Sequence, residues 1–264
     1  MRGAFAHAAV CADRSDRALS ALAEARRLRP ERLSVVHVGG GAEARRWLDA
    51  LAAEAPGAEA VLLSGPTSER LIGWARAERP DLLVAASHGG LVAGVLGSTA
   101  RRLASSAPCP TLVLPPGVGP GDEPAPGAAP YANIACCIDD SPASMRALEQ
   151  ARRLRALGPG SLSLVHVAPR ALIEEPPPGA PPGAPRDVAF DERDWLMATA
   201  AGVPGAEAVP LEGGPEAAVA WARAARPDLM VAGARERGPV ERALLGSFAA
   251  HLAREAPCPA LLTR

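Results

Sequence analysis

The sequence predicts an α/β protein made of two units, each a five-stranded parallel sheet with helices on both faces. Three observations carry this expectation. A long internal repeat runs through the chain, short apolar runs alternate with helical patterns inside each copy, and a proline- and glycine-rich stretch divides the copies. The repeat is plainest where WARAERPDLLVA (74–85) returns as WARAARPDLMVA (221–232), with ten of twelve positions matching. Further pairs keep the same order: ARRL at 25 and 151, VHV at 36 and 165, PGAEAV at 56 and 204, LGS at 96 and 245, and APCP at 107 and 256. Their offsets drift only from 126 to 149, so one unit has been duplicated with insertions confined to loops. After TLVL (111–114), PPGVGPGDEPAPGAAP suits neither a helix nor a sheet core and reads as a semi-extended linker. The expected units are therefore 1–116 and 131–264, with 117–130 between them.

The elements of the first unit follow in order. An apolar run at 4–12 reads as a strand, and the helical pattern of 15–29 places Ala18, Leu19, Leu22 and Ala25 on one face. SVVHV (34–38) is a β-branched run fit for a buried strand, followed by a helix around Trp47, Leu48 and Leu51. EAVLLS (59–64), TSERLIGWARAE (67–78), DLLVAAS (81–87), a helix near 97–107 and TLVL complete five strands and four helices. Such alternation requires crossover connections and a parallel sheet covered on both faces. Ligands of that architecture sit at the carboxyl ends of the strands. The second unit repeats the plan from NIACCID (133–139) and adds a proline-rich segment at 169–187, read as a polyproline excursion.

Composition narrows the function. The 264 residues are 48% hydrophobic and 22% charged, in the range of chains that fold. With 28 basic and 29 acidic residues the net charge is −1, which recruits neither nucleic acid nor an anionic membrane. No apolar run approaches the roughly 20 residues of a membrane-spanning helix, and no export signal is read at the start, so a cytoplasmic protein is expected. Five scattered cysteines form no disulfide framework and read as buried thiols of a reducing compartment. No C-x-x-C or H-x-x-x-H spacing suggests a metal site.

Candidate binding residues lie at the strand ends. Strand one ends at Asp13 in the first unit and at Asp139 and Asp140 in the second, with Ser15 and Ser141 close behind. Such carboxylates can hold a ribose or a divalent metal, or simply cap a helix; the serines read as caps, with Pro142 at the first helical position. The fourth strand runs into AASHGGLVAGVLGST (85–99) and AGARERGPVERALLGSF (232–248). Glycines there admit a phosphate to the backbone, and a Gly-Ser pair opening a helix offers unpaired N–H groups to an anion. Glycines alone are a weak signal, because many strand-to-helix turns contain them.

Taken together, CADRS and CIDDS, RPDLLVAASHGG and RPDLMVAGARE, LGST and LGSF, and APCPTLVL and APCPALLT resemble the universal stress protein family across both halves. The resemblance implies a Rossmann-like fold of the adenine nucleotide alpha hydrolase-like kind and pairing through the fifth strand. It also implies ATP, accompanied by magnesium, on a G-x2-G-x9-G-[ST] motif. It assigns Asp13, Val38, Gly89, Gly97 and Ser98 to a first nucleotide site, and Asp139, Val167, Gly233, Gly246 and Ser247 to a second, with Val38 and Val167 beside the adenine. Both copies depart from the motif. Ala86 replaces the first glycine of the first copy, whose loop is two residues short; Glu236 replaces the second glycine of the second copy, between Arg235 and Arg237. The first half, with Gly89, Gly90, Gly94 and Gly97, is the better candidate for a live site. His37 and His166 read as structural, because no nucleophile and acid accompany them in the order of a hydrolase. The expected function is a regulatory stress protein that binds an adenine nucleotide in at least one half; a nucleotide-independent scaffold is the alternative, and enzyme activity ranks last. The two halves are expected to form an internal pseudo-dimer, and a homodimer of the whole chain is left open.

Overall fold

The computed structural model describes residues 4–87, 97–121, 124–125, 128–168, 188–234 and 245–264, with only the backbone of 188–191. The first half contains β1 (His7–Ala12), α1 (Arg17–Arg27), β2 (Arg32–Val38), α2 (Gly41–Ala53), β3 (Glu59–Leu63), α3 (Thr67–Glu78), β4 (Leu82–Ala86), α4 (Ser98–Ser106) and β5 (Thr111–Leu114). The second contains β6 (Asn133–Cys137), α5 (Pro142–Arg155), β7 (Ser161–Ala168), α6 (Val188–Ala201), β8 (Ala206–Glu212), α7 (Pro215–Ala225), β9 (Leu229–Gly233), α8 (Ser247–Glu255) and β10 (Ala260–Thr263). Within each half every strand pairing is parallel, as the alternation of elements requires.

The described strands form one sheet in the order β3-β2-β1-β4-β5-β10-β9-β6-β7-β8, in which the five-stranded parallel sheets of the two halves are joined edge to edge through β5 and β10. The join is antiparallel, with Leu112 opposite Leu261 and Thr111 opposite Leu262. Both joining strands are buried at every position, which a strand achieves only when it has neighbours on both edges and layers on both faces. Alternation along β5 sends Leu112 and Leu114 into the core shared with α1 and α5, and Val113 into the core shared with α4 and α8. The hydrophobic core is therefore continuous from one half to the other. Because the halves run in opposite directions across the join, their carboxyl-end crevices open at opposite ends of the sheet.

The most nearly identical part of the repeat is scaffolding. Helices α3 and α7 end in left-handed Arg79 (φ 52°) and Arg226 (φ 50°). Proline follows each arginine and stops the helix. The next aspartate then caps the start of a neighbouring strand: Asp81 accepts the N–H groups of Ala6 and His7 at 2.7 and 2.9 Å. Asp228 likewise accepts those of Ala132 and Asn133 at 2.8 and 2.9 Å.

One expectation needs correction. Leu19 is 55% exposed, because Ala18, Leu22 and Ala25 form the i, i+4, i+7 stripe and Leu19 sits one step around from it. The described residues of the linker are held by α1 and by Arg29 just beyond it. Arg17 Nη2 donates to the carbonyls of Pro115 and Val118, each at 2.8 Å, and Arg29 Nη2 donates to those of Pro124 and Ala125 at 2.8 and 3.0 Å. Glu24, with no exposed surface, accepts the Gly121 N–H at 3.0 Å and the Tyr131 hydroxyl at 2.5 Å. Arg27 lies 3.6 Å from that carboxylate and 4.7 Å above the Tyr131 ring. Burial, and then the Glu24 charge, holds the Tyr131 phenol well above its ordinary range, so it stays a donor. No helix among the described residues is long and apolar enough to cross a membrane.

Candidate functional site

The strand ends are built by short polar side chains that fold the chain back on itself. In the first half Asp13 Oδ1 accepts both the N–H and the hydroxyl of Ser15, at 3.2 and 2.6 Å, and Ser15 Oγ accepts the Arg17 N–H at 3.2 Å. Asp16 rather than Ser15 occupies the N-cap position, since Ser15 closes its own turn two residues on. In the second half Asp139 Oδ1 accepts the Ser141 N–H at 2.9 Å, and Ser141 is the N-cap, accepting the Ser144 N–H at 3.2 Å ahead of Pro142. Ser144 adds a tie that its counterpart Ala18 lacks: its hydroxyl donates to the Asp139 carbonyl at 2.5 Å and accepts the Asp139 N–H at 2.9 Å.

A cavity of about 410 Å³ opens at this end of the second half. Its wall combines Ile138, Asp139, Ser141 and Ser144 with His166 and Val167 of β7, Gly233 of β9, and Gly246 and Phe248 at the start of α8. Four of the five second-half candidates, Asp139, Val167, Gly233 and Gly246, thus meet in one place; Ser247 is not among the lining residues. Gly233 is there because α5 comes so near. A Cβ on it would lie 2.9 Å from Ala143 C and Cβ and 3.0 Å from Ser144 N. Cys137 also lines the cavity, but burial, reinforced by Cys258, pushes its thiol up to about 12, which removes a thiolate nucleophile at neutral pH.

His166 Nδ1 donates to the Ile138 carbonyl at 2.8 Å, its Nε2 lies 3.3 Å from Glu192 Oε2, and the Trp195 ring stands edge-on at 5.4 Å. His37 repeats half of this pattern, with Nδ1 donating to the Ala12 carbonyl at 2.9 Å and Trp47 edge-on at 4.9 Å. Both rings pin the second strand of a half to the first, and no nucleophile is bonded to either among the described residues. No group of three or more metal-binding side chains comes together among those residues.

The sequence favoured the first half; a cavity bounded by described residues lies in the second. Asp13 stands at the end of β1 and Val38 at the end of β2, while Gly97 and Ser98 open α4, where the Gly97 N–H reaches Ser87 Oγ at 3.4 Å. Gly89, Gly90, Gly94, Arg235, Glu236, Arg237 and the proline-rich segment lie outside the described residues. Ser144, Phe248 and Arg17 were not singled out from the sequence, although setting the copies side by side marks them: Ser144 against Ala18, Phe248 against Thr99, Arg17 against Ala143.

A doubly wound half with its crevice at the carboxyl ends of parallel strands, present twice in one chain, defines a tandem Rossmann-like α/β protein. The sequence model of the Universal stress protein family matches residues 40–115 and 130–264, and the chain belongs to that family. A universal stress protein from Archaeoglobus fulgidus DSM 4304 superimposes with a TM-score of 0.66 at 17% identity, covering 98% of each chain. A functionally unknown protein from Pseudomonas aeruginosa PAO1 gives 0.67 at 14% identity, over 98% of this chain and 92% of the other. The cytoplasmic domain of a prokaryotic cation chloride cotransporter gives 0.54 at 16% identity, over 97% and 94%. At these identities the likeness is one of fold. No curated protein sequence matches the chain.

Proposed function

We propose that the chain is a cytoplasmic stress-response regulatory protein that binds an adenine nucleotide in the crevice of its second half. Residues 1–116 and 131–264 act as two units of an internal pseudo-dimer, tied by 117–130. The observation that carries the reading is the cavity itself: about 410 Å³ at the carboxyl ends of β6, β7 and β9, within the size range of small-molecule sites. Val167 and Ile138 supply an apolar wall for a purine, Asp139 an acceptor for ribose hydroxyls, and Gly246 with Ser247 the helix start that faces a phosphate. Magnesium would enter with the nucleotide, since Asp139 is a single carboxylate. In the first half Asp13, Val38, Gly89, Gly97 and Ser98 would form the corresponding site. Arg17 favours a scaffolding role there instead, because its guanidinium already serves the linker carbonyls.

The test is to denature the purified full chain, resolve the supernatant by anion exchange, and look for co-purified nucleotide. In parallel, thermal unfolding is followed with adenosine, AMP, and ATP with magnesium. Released adenine nucleotide, or an upward shift in Tm with any of the three, supports the reading. An empty trace together with no shift leaves the scaffold reading standing.

A further inference from the structure

Phe248 stands where an anion-binding loop would need room. It is the second residue of α8, directly after Ser247 and the N-cap Gly246; its side chain lines the cavity and packs against the apolar cluster shared with α4. Thr99, small and carrying a hydroxyl, holds the same position in the first half. A phosphate drawn to a helix start relies on free N–H groups and polar space around them. Here the Gly246 N–H already donates to the Ala234 carbonyl at 3.0 Å, and a phenyl ring takes up part of the space. The charges point the same way. The ionisable groups on the cavity's described wall include the Asp139 carboxylate. Each phosphate beyond the first adds negative charge that this carboxylate repels.

We propose that Phe248 makes the second-half cavity selective for adenine ligands carrying at most one phosphate, an inference that rests on the adenine reading above. The ring acts as a stop: a nucleoside or monophosphate fills the apolar part of the cavity against Val167 and Phe248, while a triphosphate meets a phenyl ring where it needs donors. Calorimetric titration of the full chain with adenosine, AMP, and ATP with magnesium tests this, for the natural protein, Phe248→Thr, Phe248→Val and Phe248→Leu. The natural protein is expected to bind AMP at least about tenfold more tightly than ATP. Phe248→Thr and Phe248→Val should narrow that ratio to about threefold or less by tightening ATP, while Phe248→Leu, which keeps apolar bulk, retains it. Two small replacements keep the comparison readable if one of them fails to fold. ATP bound as tightly as AMP by the natural protein, or a ratio unmoved in the small variants, overturns the selectivity and leaves the adenine site standing. No binding of any of the three ligands to any of these proteins overturns the adenine reading itself, and this inference with it.

Discussion

Helices α1 and α5 begin at equivalent places, after the first strand of each half, yet α1 serves the linker and α5 serves the cavity. Four substitutions between the copies account for the divergence. Arg17 reaches out to the carbonyls after β5, where Ala143 leaves the first turn of α5 small. Ala86 keeps a methyl group at the end of β4, where Gly233 lets α5 close against β9. Ala18 makes no polar tie, where Ser144 holds the Asp139 backbone. Thr99 is replaced by Phe248 at the start of the last helix. The framework that positions these residues, the left-handed arginines and the strand-capping aspartates, is the same in both halves. Duplication has preserved what folds each half and varied the residues at the strand ends.

The sharpest way to break this comparison is to exchange residues across it. Gly233→Ala places a Cβ against the Ala143 backbone, so α5 must shift, and a loss of about 1–3 kcal/mol in urea unfolding is expected along with weaker ligand binding. The reverse change, Ala86→Gly, should cost no more than about 1 kcal/mol, from backbone entropy. Equal effects at the two sites would mean that the glycine is not there for α5.

A smaller contrast is expected at the caps. Ser141→Ala removes an N-cap acceptor and should cost about 1 kcal/mol, whereas Ser15→Ala, outside the N-cap position, should cost less. The same unfolding curves read both.

The smallest effect sits at the opposite end of the strands, where His7 occupies the position of Asn133. Burial, and then the Arg32 charge, lowers the His7 pKa below 6.5, so the folded state binds fewer protons than the unfolded one. Stability should therefore be full above about 6.5 and fall as the pH drops through that value toward the lowered one. His251 on α8, lowered by burial and by Arg254, acts in the same direction from the second half. His7→Asn should remove part of the acid loss in urea midpoint between about pH 7.5 and 5.5, and His251→Gln a further part. An unchanged acid limb in the double variant would place the sensitivity elsewhere.

Much of the fold was legible in the sequence because each unit states its period locally. TSERLIGWARAE is a helix over its whole expected span, and TLVL is β5 to the residue. Boundaries slipped where polar turns compete with the pattern, as at Ser15, whose turn delays α1 to Arg17. The join of β5 to β10 was not legible in either strand itself, because the two meet across most of the chain; pairing through the fifth strand came from the resemblance alone. In the crevice, Asp139, Val167, Gly233 and Gly246 were visible as a set through the resemblance and do converge on the cavity. Gly233 was read as a phosphate glycine; it lines the cavity and also lies against α5, and a backbone approach of this kind depends on how two elements pack, which no motif spacing records.

The antiparallel join of β5 to β10 has a consequence beyond architecture. In a symmetric homodimer every substitution near such a junction appears twice, so neither site can be altered without altering its twin. Here the two sides of the seam are separate stretches of one chain. Selection can therefore edit one crevice while the other keeps its original wording, and a dimer that had to speak in unison becomes a molecule with two voices.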